Sequence, residues 1–175
     1  MRPPTRIEME DFKTILNHEI QVHNNIERYL SRKKDVIIKG DLDALTQVDN
    51  ALESLTQQAR ELEKERLAIM VQMGREGETM KAFLKSLKTG EDTEILAHAR
   101  EQLAVTTQEI KKLSLTNRDL LTQSIRFIEQ SVEVIATMLA PEGSAYTNLR
   151  INRHGGPDTG MSKPGHVSST INHNA

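Results

Sequence analysis

Apolar and small residues fall on an alternation of three and four along residues 93–139: Leu96, Ala99, Leu103, Thr106, Ile110, Leu113, Asn117, Leu120, Ser124, Phe127, Ser131, Val134 and Met138. That spacing is the seam of a long helix packed lengthwise on a neighbour, and neither proline nor glycine interrupts it. From Leu121 a second apolar row runs beside the first, through Ile125, Ile128, Val132, Ile135 and Leu139. The first half of the helix therefore carries one narrow seam and the second half a broad apolar face. Either two helices of the same chain cover that face, or another protein does.

Two more helices precede this one. Thr5-Arg6-Ile7-Glu8 reads as a capping box, in which the threonine oxygen accepts a backbone N–H and the glutamate reaches back. The first helix is expected from about Ile7 to Lys39, on a stripe of Phe12, Ile15, Glu19, Val22, Ile26 and Tyr29 widened by Leu16, Leu30, Val36 and Ile37. Arg32, Lys33, Lys34 and Lys39 place positive charge where the helix dipole favours it. Gly40-Asp41 then offers a left-handed cap followed by an N-cap, so the next helix folds back antiparallel. Its seam is Leu45, Val48, Leu52, Leu55, Ala59, Leu62, Arg66, Ile69 and Met73. Arg66, the charged interruption, is expected to snorkel or to pair with Glu63 or a carboxylate across the bundle. Gly74 and Gly77 weaken the helix by roughly 1 kcal/mol each relative to alanine. Because Met80, Phe83, Leu84 and Leu87 resume the pattern, a kink or break rather than an end is expected there, within a helix from Leu42 to Lys88. Asp92 or Thr93 caps the third helix.

The expected fold is all-α: an elongated antiparallel three-helix bundle or coiled coil over residues 1–140, with a disordered C-terminal tail over 141–175. The second and third helices come to 47 residues each, about 70 Å at ~1.5 Å per residue, and the first is about a third shorter. Folded back at Gly40, it would lie beside 42–73 and beside about 108–139. Length accounting thus assigns much of the second apolar row to the first helix and leaves the region near Val132 to Tyr146 open. The tail holds three prolines and five glycines among Ser, Thr, Asn and His, too little apolar surface to offset its ordering entropy. Tyr146 stands out there as an aromatic docking residue.

Composition narrows the class. Hydrophobic residues make up 37% and aromatics 3%, with no tryptophan, which suits a slender aliphatic bundle better than a thick core. The absence of cysteine removes disulfides and thiol catalysis and makes a reducing compartment the simplest home. The longest apolar run, Leu67 to Val71, is far short of the ~20 residues that span a bilayer, and no signal-peptide core follows Met1. A cytoplasmic protein without stable membrane insertion is expected. Net charge is −2 with both signs interspersed, so no nucleic-acid partner is expected.

The search for chemistry is nearly empty. There is no Gly-rich phosphate loop, no Glu-x-x-His pair and no Cys/His cluster. Glu19/His23 and Glu94/His98 are each spaced for one helical face. The register above sets Glu19 level with about residue 120, some 30 Å from His98, which argues against a shared metal site. His154, His166 and His173 are too widely spaced for a metal motif. No catalytic residue, cofactor or metal is expected. Asn117 on the seam reads as a buried polar residue that fixes register, or as a contact to a partner.

The run Ile37-Ile38-Lys39-Gly40-Asp41-Leu42-Asp43-Ala44-Leu45, then Leu62-Glu63-Lys64-Glu65-Arg66, Leu115-Thr116-Asn117-Arg118-Asp119-Leu120-Leu121 and Ser124-Ile125-Arg126-Phe127-Ile128 together resemble the flagellar export chaperones of the FlgN type. The resemblance covers about residues 8 to 147. It implies a non-enzymatic cytoplasmic chaperone that binds the C-terminal helical segments of hook-associated (hook–filament junction) proteins, prevents their premature assembly and delivers them to the flagellar type III export gate. It further implies a cargo surface of Leu121, Ile125, Ile128, Val132, Ile135 and Leu139, and gate docking through Tyr146, although family tails often carry Tyr-Gly where this one has Tyr146-Thr147. A monomer or weak homodimer is expected. The alternative is a structural coiled-coil scaffold that self-associates through the same stripes.

Overall fold

A computed structural model describes residues 4–87 and 90–139. It is all-helical over those residues: α1 Arg6–Lys39, α2 Leu42–Gln72, α3 Met80–Ser86 and α4 Glu91–Leu139. The chain divides into two units, Met1–Gln130 and Ser131–Ala175. The first is the helical bundle. Of the second, the described residues 131–139 are the last turns of α4, and the segment expected as a tail lies outside the described residues.

The ends of α1 follow from local chemistry. Thr5 Oγ1 accepts the Glu8 N–H at 3.3 Å, and Glu8 Oε2 accepts the Thr5 N–H at 2.7 Å, the reciprocal bonds of a capping box. At the other end Gly40 takes φ 68°. Its N–H donates to Ile37 C=O at 3.1 Å, and the Asp41 N–H to Val36 C=O at 3.3 Å, a Schellman closure. Asp41 Oδ1 then accepts the Ala44 N–H at 2.9 Å and caps α2. The reversal is complete in two residues.

Around Gly74 the structure has a break and not a kink within one helix: α2 ends at Gln72. Gly74 at φ 72° donates its N–H to Val71 C=O, and the Arg75 N–H donates to Met70 C=O, both at 2.8 Å. These bonds make a second Schellman closure, which terminates a helix rather than bending it. Gly77, at φ 71°, turns the chain again. Thr79 Oγ1 accepts the Ala82 N–H at 3.2 Å and starts the short α3. The apolar residues after the glycines thus belong to a separate helix folded onto the bundle end.

That end holds the densest core. Met9, Phe12 and Leu16 of α1 meet Met70 and Met73, Phe83 of α3, and Leu96 and Ala99 of α4. Phe12 and Phe83, both fully buried, pack edge to face with centroids 5.4 Å apart. The Arg75 guanidinium lies 5.6 Å from the Phe83 ring centre and bonds Glu78 at 3.3 Å.

The closure at Gly74 also sets the register of α4. Lys13 meets Asp92 at 2.9 Å, Asn24 meets Thr106 at 3.4 Å, and Asn117 Nδ2 donates to Leu30 C=O at 2.8 Å. Separations of 79, 82 and 87 residues make α1 and α4 parallel, starting from the same end. Hydrogen bonds to Asp92 and Glu10 raise the Lys13 pKa above its ordinary 10.5. Extending the register, Lys39 falls level with about residue 126, not 139, a shift of close to 20 Å. The expected placement of α1 beside about 108–139 is therefore corrected. Its cause is the early end of α2, which brings the start of α4 back to the start of α1.

Two charged groups on the seams are matched across the hairpin. Glu19, expected on the stripe of α1, is buried, and Arg66 Nε of α2 donates to both its carboxylate oxygens at 2.9 and 3.0 Å. The two charged interruptions of the apolar pattern thus meet each other.

Candidate functional site: an exposed apolar face on α4

Up to Leu120 the seam of α4 is buried or half-buried. Leu96, Ala99 and Asn117 are buried, with Leu103, Thr106, Ile110, Leu113 and Leu120 half-buried. Beyond Ser124 this ends. Phe127, Val134 and Met138 continue the same seam, yet they are exposed, as are Ile125, Ile128, Val132, Ile135 and Leu139 of the second row, across a range of 52 to 79%. Leu121 is half-buried.

The expectation that α1 covers much of the second row is therefore overturned. The physical reason is the register: α1 runs out level with about residue 126. The length argument that narrowed the site to the region near Val132 to Tyr146 falls with it, because exposure begins at Ile125. Tyr146 lies outside the described residues.

The geometry of the face follows from helical spacing. At ~100° per residue, Ile125, Ile128, Val132, Ile135 and Leu139 cluster within about 80° of arc. Phe127, Val134 and Met138 form a second cluster centred about 120° away, with Ser131 on its inner side. Arg126, Glu129, Gln130, Glu133 and Thr137 take the opposite face. Roughly half the circumference is apolar, against the ~100° stripe of an ordinary amphipathic helix. At the turn between α1 and α2, Ile38 and Leu42 are also exposed, at 64 and 73%. Ile38 sits just outside the buried pair Val36 and Ile37, so periodicity does mark it as off the seam.

Other candidate positions resolve into structure. His98 lines a shallow groove with Ile20, Asn24, Glu101, Gln102, Val105 and Thr106. The parallel register thus brings it beside α1, and the ~30 Å separation from Glu19 expected from sequence does not hold. Glu19 is engaged by Arg66, and His23 Nδ1 lies 2.8 Å from the Glu19 carbonyl oxygen. Among the described residues no group of three or more His, Asp or Glu is placed to hold a metal ion. Likewise among the described residues, no helix is long and apolar enough to cross a membrane. Asn117 is buried, its Nδ2 on Leu30 C=O and its Oδ1 without a hydrogen-bond partner among the described residues.

A bundle of aliphatic seams whose longest helix ends in an exposed double row is the architecture of a protein-binding module. Residues 8–148 match the family model described as FlgN protein, and the chain belongs to that family. Membership carries a general chaperone role in flagellar export, which is non-enzymatic. No curated protein and no solved structure matches the chain.

Proposed function

We propose that the exposed face of α4 holds the C-terminal helical segments of hook-associated junction proteins in the cytoplasm, keeps them from assembling early, and delivers them to the flagellar type III export gate. The observation that carries this reading is the exposure of Ile125, Ile128, Val132, Ile135 and Leu139 on one face of a continuous helix. An amphipathic cargo helix laid along that row buries its own stripe against it. Some 600 Å² of apolar burial is worth about 15 kcal/mol gross at ~25 cal/mol per Å². Most of that is offset by association and ordering, which leaves the modest affinity a releasable chaperone needs. Tyr146 is the proposed gate-docking residue, acting separately from the cargo face.

The test is Ile128→Asp with Ile135→Asp. Binding of a junction-protein C-terminal peptide should be lost while far-UV circular dichroism keeps its helical signal, because both side chains are more than half exposed. Loss of the helical signal would mean the row is core. Tyr146→Ala should leave peptide affinity unchanged and reduce export; equal loss of both contradicts the division of labour. Sedimentation of the free chain as a stable dimer that the same double variant dissolves would favour the scaffold reading.

A further inference from the structure

The exposed end of α4, residues 125–139 of one continuous helix, falls on a heptad whose packing positions carry no charge. Ile128 and Ile135 take the central a positions, and Ser131 and Met138 the central d positions. Ile125, Val132 and Leu139 flank them on one side, Phe127 and Val134 on the other. Arg126, Glu129 and Glu133 all fall on the outer b and f positions. Flanking positions ordinarily hold the charges that choose a partner and its direction. Here that choice is left to side-chain size.

The sizes suit a second copy of the same helix running the opposite way. In a parallel pair each layer sets a residue against itself, so Ser131 would face Ser131 and leave a gap between two isoleucine layers. In an antiparallel pair an a position lies level with a d position. Centred on Glu133, that arrangement sets Ile135 of each copy against Ser131 of the other, and Ile128 against Met138. Along the flanks Val132 comes beside Val132, and Ile125 beside Leu139. The overlap ends at Ile125, where exposure begins. Eight side chains of this segment are 52 to 79% exposed. At ~100 Å² each they offer roughly 800 Å² per copy, the area a specific pair buries on each partner.

We infer that in the free chain this face is covered by a second copy, packed antiparallel along residues 125–139. Cargo and the second copy compete for one surface, so the pair is the empty state and disperses on loading. The competition rests on the cargo role proposed above; the pairing does not.

The chain has no cysteine, so single thiols report the pairing in the full chain. Chains carrying Ile128→Cys or Met138→Cys are mildly oxidised at micromolar concentration, alone and mixed one to one. The mixture should give the 128–138 disulfide dimer. Each chain alone should give about tenfold less, because like thiols lie ~15 Å apart along the helix, beyond the ~5.5–6 Å between Cα atoms that a disulfide spans. Ready cross-linking of each chain alone means a parallel pair, and no cross-linking in the mixture means no pair. Either result overturns the inference and leaves the cargo role standing. Saturating junction-protein C-terminal peptide, its binding to the parent chain measured separately, should cut the mixed disulfide by about tenfold. A disulfide that forms undiminished with peptide bound marks a scaffold contact and overturns the competition. A mixed disulfide in a chain that binds no peptide overturns the cargo role, and the competition with it, while supporting the pairing.

Discussion

The buried pair between Glu19 and Arg66 offers the sharpest test of how the α1–α2 hairpin is held. The Glu19 side chain is 4% exposed and receives Arg66 Nε on both oxygens, while Arg66 is 20% exposed and has Glu63 at 3.9 Å as a second, rim-exposed carboxylate. The two ends of the pair are therefore unequal. Arg66→Met strands a carboxylate inside the hairpin and should cost about 3–5 kcal/mol, the range for breaking a buried pair. Glu19→Ala leaves a guanidinium that keeps Glu63 and reaches water, so its cost should be lower, about 2 kcal/mol. Glu19→Leu with Arg66→Met replaces the pair by apolar groups and should lie within about 1 kcal/mol of the parent, or above it. Urea denaturation followed by far-UV circular dichroism measures all three variants. Against a typical total of ~5–15 kcal/mol, the Arg66 variant should show a large shift in midpoint. An Arg66→Met cost below about 1 kcal/mol, or a double variant as unstable as the sum of the singles, would refute the reasoning.

Two further outcomes follow from the backbone and the seam. Gly74→Ala should cost about 1–2 kcal/mol through the left-handed backbone alone, because a Cβ there meets nothing within 4 Å. Gly74→Asn should recover part of that loss, and equal thermal melting of the two variants would contradict the assignment to φ. Asn117→Leu removes a buried oxygen without a partner and should leave stability unchanged or raise it by about 1 kcal/mol. It should also loosen the α1–α4 register, seen as faster amide exchange around Leu30. A loss of stability beyond about 1 kcal/mol would count against a pure register role.

Much of the fold was legible because it rests on local chemistry. Thr5 with Glu8, and Gly40 with Asp41, specify their caps whatever surrounds them. Arg66 and Glu19 were visible as charges on apolar stripes, although the seams alone do not say that they meet. At Gly74 and Gly77 the sequence left a kink and a break equally open. Helix propensity gives the same penalty for a kink as for a stop, and the apolar period resumed on the far side. Only the left-handed conformations decide, and these put Met80–Ser86 on a separate helix. The register error followed from that one choice. Periodicity reports which face of a helix is apolar, and it carries no information on how far along a neighbour extends. For this reason Ile125 and Ile128 were assigned largely to the core, whereas the structure leaves them exposed.

The uneven distribution of core along the bundle has a mechanical consequence. The fully buried large side chains other than Val48 (Phe12, Phe83, Leu16, Met70, Met73 and Leu96) gather at the end where α3 folds over. Towards Gly40, α2 offers mainly half-buried residues such as Leu45, Leu52 and Leu55. The α1–α2 pair is held at both ends, by the Phe12–Phe83 contact and by the two-residue Gly40 turn over buried Val36, Ile37 and Val48. Between those ends α2 has no buried residue from Asp49 to Ile69, so local opening is expected to cost least there.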